Sequence, residues 1–519
     1  MKFERLRGSI IPFALAASIG MTFFLFLLRP VNDADFFWHL KTGQWILQNR
    51  MLPSQDMFSY TAPEQLSLRG NMLLKCYWLS QLLFASAYEY GGVYGLFILR
   101  ASMAALLFYI MFKSRRGDRT LYSALMLIFI FSVLVAYPVE RPHVFSFIYF
   151  AALLFLLEKI IRPGEEGPVS PVIIAAAPLV MLLWANSHRG GYLLGQAAIV
   201  LCLTVEGIKF IHPRLRPAGK KNYARLAAAG LLGIVFSLAN PNTYHSLEIV
   251  REVASSDYSL YLNLEYQPLL RTLREYNNYS ALLCFFLGSL AASGIIINIK
   301  NADITRVILA GGLGYLAFMQ LRYVPFFLIA ALPAIGENLS AQRLLKPLKY
   351  PVIAAAFFAA FYFTGDEVSN VNKILNGKWI NERLYPVGAA RFIAENDLKG
   401  NMFNEFNWGG YLIWKLAPHK KVFIDGRIVS EKALWQYLTI RIAMDGSGSS
   451  VPQWKGLLDQ YGVKFIVMPL TEAGTVIPLV AELLNDKEWA LVYSDAVALV
   501  FVKNTPENSE VIKRYASRA

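Results

Sequence analysis

Two carboxylates, Asp33 and Asp35, stand one residue apart in the stretch Val31-Asn-Asp33-Ala-Asp35-Phe-Phe-Trp38-His39-Leu40. A carboxylate can take a proton from a hydroxyl group. Two neighbouring ones can raise each other's proton affinity, or hold a divalent metal such as Mg or Mn through oxygen ligands. The pair follows directly on the first long apolar segment, residues 9–28. Chemistry done there would act on a substrate held at a membrane surface. The competing use is structural, because Asp and Asn favour the cap of the helix that starts at this point.

The elements that position this pair follow from composition. The chain has 519 residues, of which 55% are hydrophobic and 17% charged, with a mean hydropathy of +0.40. A soluble chain of this length needs more polar surface. Apolar stretches long enough for a bilayer core must satisfy their backbone internally, so they read as helices. We expect a polytopic α-helical membrane protein with about eleven transmembrane helices, near residues 9–28, 91–112, 120–137, 143–160, 171–187, 190–208, 226–240, 279–298, 305–320, 323–336 and 350–364. The first follows Lys2, Arg5 and Arg7 with no small-residue cleavage signal, so it reads as an uncleaved span and not a signal peptide.

The net charge of +14 suggests nucleic acid only until its distribution is considered. With the N-terminus inside, the inner segments 1–7, 113–119, 158–170, 206–225, 300–306 and 337–350 hold 20 Lys/Arg against 8 Asp/Glu. Their excess of 12 nearly accounts for the total. This is the positive-inside pattern, an orientation signal, and no nucleic-acid partner is expected. It places the N-terminus on the cytoplasmic side of the membrane, and Asp33 and Asp35 outside. Three cysteines, Cys76, Cys202 and Cys284, form no framework.

Three outward regions are long enough to hold structure. The first loop, 29–90, begins with an aromatic-rich helix at 35–48, expected to lie along the bilayer surface. A middle loop covers 240–278. The tail, 366–519, alternates short apolar runs with turns, as in a soluble α/β domain. Its strands are expected at 402–406, 421–425, 463–468, 490–493 and 498–502, and its helices at 387–396, 431–443 and 476–485. The domain boundary therefore falls at 365/366, with the first loop belonging to the transmembrane domain and the tail forming an extracytoplasmic domain.

On the outer side, Arg141, Arg189 and Arg322 fall at span ends, and Arg100 lies within the apolar run 96–112, where a charge must be paired or near the interface. Arginine binds phosphate bidentately. The plainer readings are headgroup contact and pairing with a neighbour such as Glu140. Histidines 39, 143, 188 and 245 share this side, but none has ligand spacing with another on one helix, and no HExxH occurs, so zinc is not expected. Glu265 could be a second acidic group. In the tail, Asn407-Trp-Gly409-Gly410-Tyr and Asp425-Gly426-Arg427 end predicted strands, although both glycine pairs are also ordinary turn dipeptides.

The order of these blocks resembles a bacterial branch of the C-type (GT-C) membrane glycosyltransferase superfamily, enzymes that use a polyprenyl-phosphate-linked sugar. The resemblance rests on Asp33-Ala-Asp35-Phe-Phe-Trp38-His39, Pro53-x-x-Asp56-x-Phe-Ser-Tyr, Arg141-Pro-His143, Leu183-Trp184-Ala-Asn186-Ser-His188-Arg-Gly190 and Asn240-Pro241. It continues through Leu264-Glu265-Tyr-Gln267-Pro268, Arg322-Tyr-x-Pro325-Phe, Asn407-Trp-Gly409-Gly410-Tyr and Phe423-Ile-Asp425-Gly-Arg427. The chain departs from that branch at Phe37 and Tyr266, where the branch has Trp, and at Tyr77, where it has an acidic residue. The resemblance implies that Asp33 or Asp35 is the catalytic base. With such a donor, the chemistry of the side chains makes Arg100, Arg141, Arg189 and Arg322 the candidates to hold the phosphate, His39 and His188 to hydrogen-bond sugar or phosphate, and Glu265 to meet a metal or a sugar hydroxyl. The acceptor would be a glycan, lipid or protein. The rivals are a transporter or flippase of a lipid-linked glycan, which usually shows paired halves that are not evident here, and a non-catalytic membrane scaffold.

Overall fold

The computed structural model describes residues 2–130, 140–163, 169–188, 190–212, 215, 217–246, 248, 264–276, 279–297, 303–341, 346–445 and 451–516. The chain begins with α1 (Lys2–Leu27), α2 (Ala34–Asn49), α3 (Leu68–Lys75) and α4 (Trp78–Lys113). Next come α5 (Arg119–Phe129), α6 (His143–Ile161), α7 (Pro171–Ser187), α8 (Gly191–Ile211) and α9 (Lys220–Ser237). They are followed by α10 (Leu269–Tyr276), α11 (Tyr279–Ile297), α12 (Ile304–Met319), α13 (Val324–Ala341) and α14 (Lys349–Leu375). Within the described residues each of the eleven expected spans overlaps one of these helices, while residues 131–137 of the third lie outside the described residues. By length and apolarity, four helical runs among the described residues could cross a membrane: Leu68–Lys113, His143–Ile161, Gly191–Ile211 and Leu321–Ser340.

Packing divides the chain into two compact units, residues 1–29 with 90–375 and residues 30–89 with 376–519. This departs from the boundary at 365/366. By its contacts the first loop belongs with the tail and not with the helices, and α4, broken at Gly92 (φ 56°, ψ −143°), passes between the two units.

Ion pairs in the helix unit report the alternation of its helices. Glu158, at the end of α6, accepts from Arg116 at 2.6 Å and from Arg306, before the second turn of α12, at 2.5 Å. Arg306 also reaches Glu337 of α13 at 3.1 Å. Lys209 of α8 is buried between Glu206 (2.6 Å) and Asp303 (3.2 Å), and Thr305 donates to Glu206. All of these residues come from segments that the charge pattern puts on one side. Antiparallel neighbours, joined through their like-sided ends, account for that grouping.

The loop–tail unit holds α2, α3, and then α15 (Val387–Glu395), α16 (Gly409–Leu416), α17 (Glu431–Arg441), α18 (Gln453–Gln460), α19 (Pro478–Asn485) and α20 (Ser509–Tyr515). Its four-stranded sheet runs in the order β1-β2-β6-β5, from β1 (Asn401–Asn404), β2 (Val463–Met468), β5 (Trp489–Ser494) and β6 (Leu499–Lys503), while β3 (Thr471–Glu472) and β4 (Thr475–Val476) form a hairpin. The β1–β2 pair is parallel and the others antiparallel. Four of the five expected strands fall on this sheet. The fifth, 421–425, forms no ladder. Val422 instead pairs with the first loop, donating to the Phe58 carbonyl (2.9 Å) and accepting from the Tyr60 amide (3.2 Å).

The aromatic helix at 35–48 is a second correction. It exists as α2, but its apolar face is covered by protein and not laid on lipid. Phe36, Phe37, Trp38 and Leu40 are buried. Phe37 packs edge-on against Tyr385 and Tyr411, with Trp414 beside it. An apolar stripe signals burial, but the stripe alone does not say what buries it.

Candidate functional site

In the helix unit, residues singled out from distant parts of the sequence converge. Arg141, just before α6, donates to Glu265 at 2.9 Å. Next to Glu265, the Tyr266 ring carries the Arg322 guanidinium at 4.6 Å from its centroid. The backbone ties these stretches together, with the Leu321 amide donating to the Gln267 carbonyl at 3.0 Å. His143 lies within electrostatic reach of Arg141, His188 and Arg322, and its ring packs against Phe147. His188 closes the group: its Nδ1 is 2.6 Å from Ser146 Oγ, which accepts from the Trp184 indole at 2.7 Å. A Cβ on Gly191 would sit 2.2 Å from Ser146 Oγ and 2.8 Å from His188 Nδ1, so only glycine lets α8 start this close.

Arg100 is committed differently. It is buried, ion-paired with Glu140, and donates to the Arg29 carbonyl at 2.5 Å. A charge inside an apolar helix needs such a partner, and the plainer reading of this arginine describes its surroundings. Arg189 and residues 249–263 of the middle loop lie outside the described residues.

In the loop–tail unit the two aspartates do different things. Asp33 is buried and caps α2, with Oδ1 accepting from the amides of Asp35 (2.8 Å) and Phe36 (3.1 Å). Asp35 is half-buried in the first turn, and its Oδ1 accepts from the Trp38 indole at 3.1 Å. His39 is buried, with Nδ1 3.2 Å from Gln81 Nε2 and its ring against Trp38 and Tyr77. Among the described residues no group of three His, Cys, Asp or Glu side chains is placed to hold a metal.

The Asp425-Gly426-Arg427 turn, a candidate by its place after a strand, is part of a buried ion group that its sequence does not reveal. Arg427 is buried between two buried carboxylates, donating to Asp425 through Nε (2.7 Å) and Nη2 (2.6 Å) and to Asp56 through Nη1 (2.8 Å). Ser59 joins them, accepting from Arg427 (2.9 Å) and donating to Asp425 (3.0 Å). Burial pushes the Asp425 carboxyl up, but the Arg427 charge and hydrogen bonds outweigh this and hold it below the usual carboxylate range. Both partners stood in quoted blocks, Pro53-x-x-Asp56 and Asp425-Gly-Arg427. A turn dipeptide explained the second well enough that nothing pointed to the first, about 370 residues away.

No family model and no curated protein matches the chain. Solved structures do. ArnT from Cupriavidus metallidurans in the apo state aligns with a TM-score of 0.54 at 13% identity, covering 96% of this chain and 98% of its own. The oligosaccharyltransferase AglB from Archaeoglobus fulgidus, solved with an inhibitory peptide and a dolichol-phosphate, aligns with a TM-score of 0.50 at 11% identity, covering 88% and 70%. Both are GT-C glycosyltransferases. This chain has the GT-C fold. At these identities the likeness is one of fold, and it extends over nearly the whole length of this chain.

Proposed function

We propose that this GT-C-fold protein is an inverting glycosyltransferase of the bacterial inner membrane. It takes a sugar from a polyprenyl-phosphate donor and passes it to a glycan, lipid or protein acceptor on the outer face. In this reading the eleven helices cross the membrane, the N-terminus is cytoplasmic and the tail is periplasmic. The observation that carries the proposal is the convergence of Arg141, His143, His188, Glu265 and Arg322 at one end of the helix unit. Two guanidinium groups with histidine and an acidic partner suit a phosphate next to a sugar. AglB, with the same fold, was solved with dolichol-phosphate.

The reaction is a displacement at the anomeric carbon. The acceptor oxygen forms a bond to that carbon, and the bond from the carbon to the phosphate oxygen breaks with its electron pair going to the phosphate. Arg141 and Arg322 hold the charge that develops there. Arg100 supports the fold through Glu140, and a contact from Arg189 belongs to the same proposal. The hydroxyl proton goes to Asp35. Asp33 is the cap, since its Oδ1 is taken by two amides, while Asp35 is more open.

The test is release of polyprenyl phosphate from a bacterial membrane extract supplying the mixed polyprenyl-phosphate sugars, with the full chain in detergent. Asp35→Asn is expected to lose about 10²–10⁴-fold in rate, the usual contribution of a general base. Full activity in both Asp35→Asn and Asp33→Asn removes the mechanism. Flipping of the donor across vesicles with no release would establish the transporter reading instead.

A further inference from the structure

The tail turn Asp425-Gly426-Arg427 has a neighbour that its ion group does not explain. A Cβ built on Gly426 would lie 2.0 Å from Asp35 Oδ1 and 3.1 Å from Asp35 Cγ. The carboxylate of Asp35 therefore rests against the bare Cα of Gly426. The turn itself cannot drift, because Arg427 and Asp425 are locked to Asp56 and Ser59, and the Arg427 amide donates to Asp425 Oδ1 at 3.0 Å. The adjoining glycines fit the same docking surface. A Cβ on Gly410 would meet the Ala34 carbonyl at 2.3 Å, and one on Gly409 the Ile424 carbonyl at 2.3 Å. The start of α2 thus sits on two glycine-bearing segments of the tail.

We infer that Gly426 is a positioning residue for the proposed base: its missing side chain, on a turn fixed by Asp56, Asp425 and Arg427, sets where the Asp35 carboxylate sits. This rests on the transferase reading for the use of Asp35, but not for its placement. The three glycines differ in what a methyl group would hit. At Gly409 and Gly410 it meets backbone, so the local fold must move. At Gly426 the three nearest atoms it meets all belong to the end of the Asp35 side chain, and no positive φ stands against alanine there. Gly426→Ala should turn the Asp35 carboxylate away from Trp38 Nε1 while leaving α2 and its Asp33 cap in place.

The experiment is a double-mutant cycle on the full chain, measuring thermal unfolding by thiol labelling of buried Cys76 and release of polyprenyl phosphate from the same mixed donor extract. Gly426→Ala is expected to lower the labelling midpoint by about 2–4 °C with Asp35 present, and by much less in an Asp35→Ala background, where the obstructing carboxylate is gone. Its release rate should fall by about 10²-fold, the effect of misplacing a reacting group by about 1 Å. Added to Asp35→Asn it should cause no further loss. An equal midpoint drop in both backgrounds overturns the inference, as does a release rate that falls additively. If the midpoints couple while Asp35→Asn releases phosphate at the full rate, the placement stands and the transferase reading falls.

Discussion

Replacing Arg427 with methionine keeps its length and removes its charge, leaving Asp56 and Asp425 buried with no cation. Both carboxylates and the guanidinium are at most 4% exposed, so water cannot take over the lost contacts. Breaking a buried pair by removing one member costs about 3–5 kcal/mol, against a total stability on the order of 5–15 kcal/mol. For a unit of about 200 residues, each kcal/mol moves the midpoint by about 2–4 °C, so Arg427→Met should lower it by about 6–20 °C. Cys76 is buried in this unit, and Cys202→Ser with Cys284→Ser leaves it as the sole thiol reporter in a labelling melt. Adding Asp56→Asn and Asp425→Asn keeps the acceptors for the Phe58 and Arg427 amides and removes the stranded charges, so more than half of the loss should return. The pH dependence follows from the sign of the Asp425 shift. Its folded pKa lies below its unfolded value, so its contribution is complete above the ordinary carboxylate range and fades as pH falls through about 4 and lower. In Arg427→Met the guanidinium charge no longer offsets burial at Asp425, whose carboxyl then protonates more easily, and the gap to the unaltered protein should narrow in acid. An unchanged labelling midpoint at pH 7, or a triple variant no better than Arg427→Met, refutes the account.

Other expectations are simpler. Asp33→Ala removes the α2 cap and should cost about 0.5–2 kcal/mol by the same labelling melt, whereas Asp33→Asn should keep most of that stability and of the activity. Gly43→Ala would place a Cβ 2.0 Å from the Gln81 carbonyl, and overpacking of this kind should lower stability by about 1–3 kcal/mol, read as the labelling midpoint. Arg141→Gln and Arg322→Gln should each slow donor turnover by about 10²–10³-fold. Loss of turnover with an unchanged melt would separate ligand contact from folding.

The helices were legible because lipid leaves an apolar segment little choice but to satisfy its own backbone. Within the described residues all eleven expected spans overlap helices, and the charge pattern groups Arg116, Glu158, Lys209, Asp303 and Arg306, which the ion pairs join. Four tail strands were visible through alternation. The segment 421–425 looked like a fifth, but its hydrogen-bonding partners lie in residues 58–60, and alternation does not name a partner. The site was legible only in part. Arginine at span ends identified Arg141 and Arg322 as a type, whereas the distinction between Arg100, bound to Glu140, and the Arg141–Glu265 group needed coordinates.

By itself the sequence determined where the chain is helical, and that acidic, cationic and aromatic residues recur at the ends of the apolar runs. These properties depend on local composition, which each segment carries with it. Only the tertiary structure decided that the first loop folds with the tail, that Asp56 and Arg427 meet across about 370 residues, and that Asp35 rests on Gly426 while Asp33 is consumed as a cap. Such pairings depend on which surfaces find each other, and the stretch holding either partner carries no mark of the other.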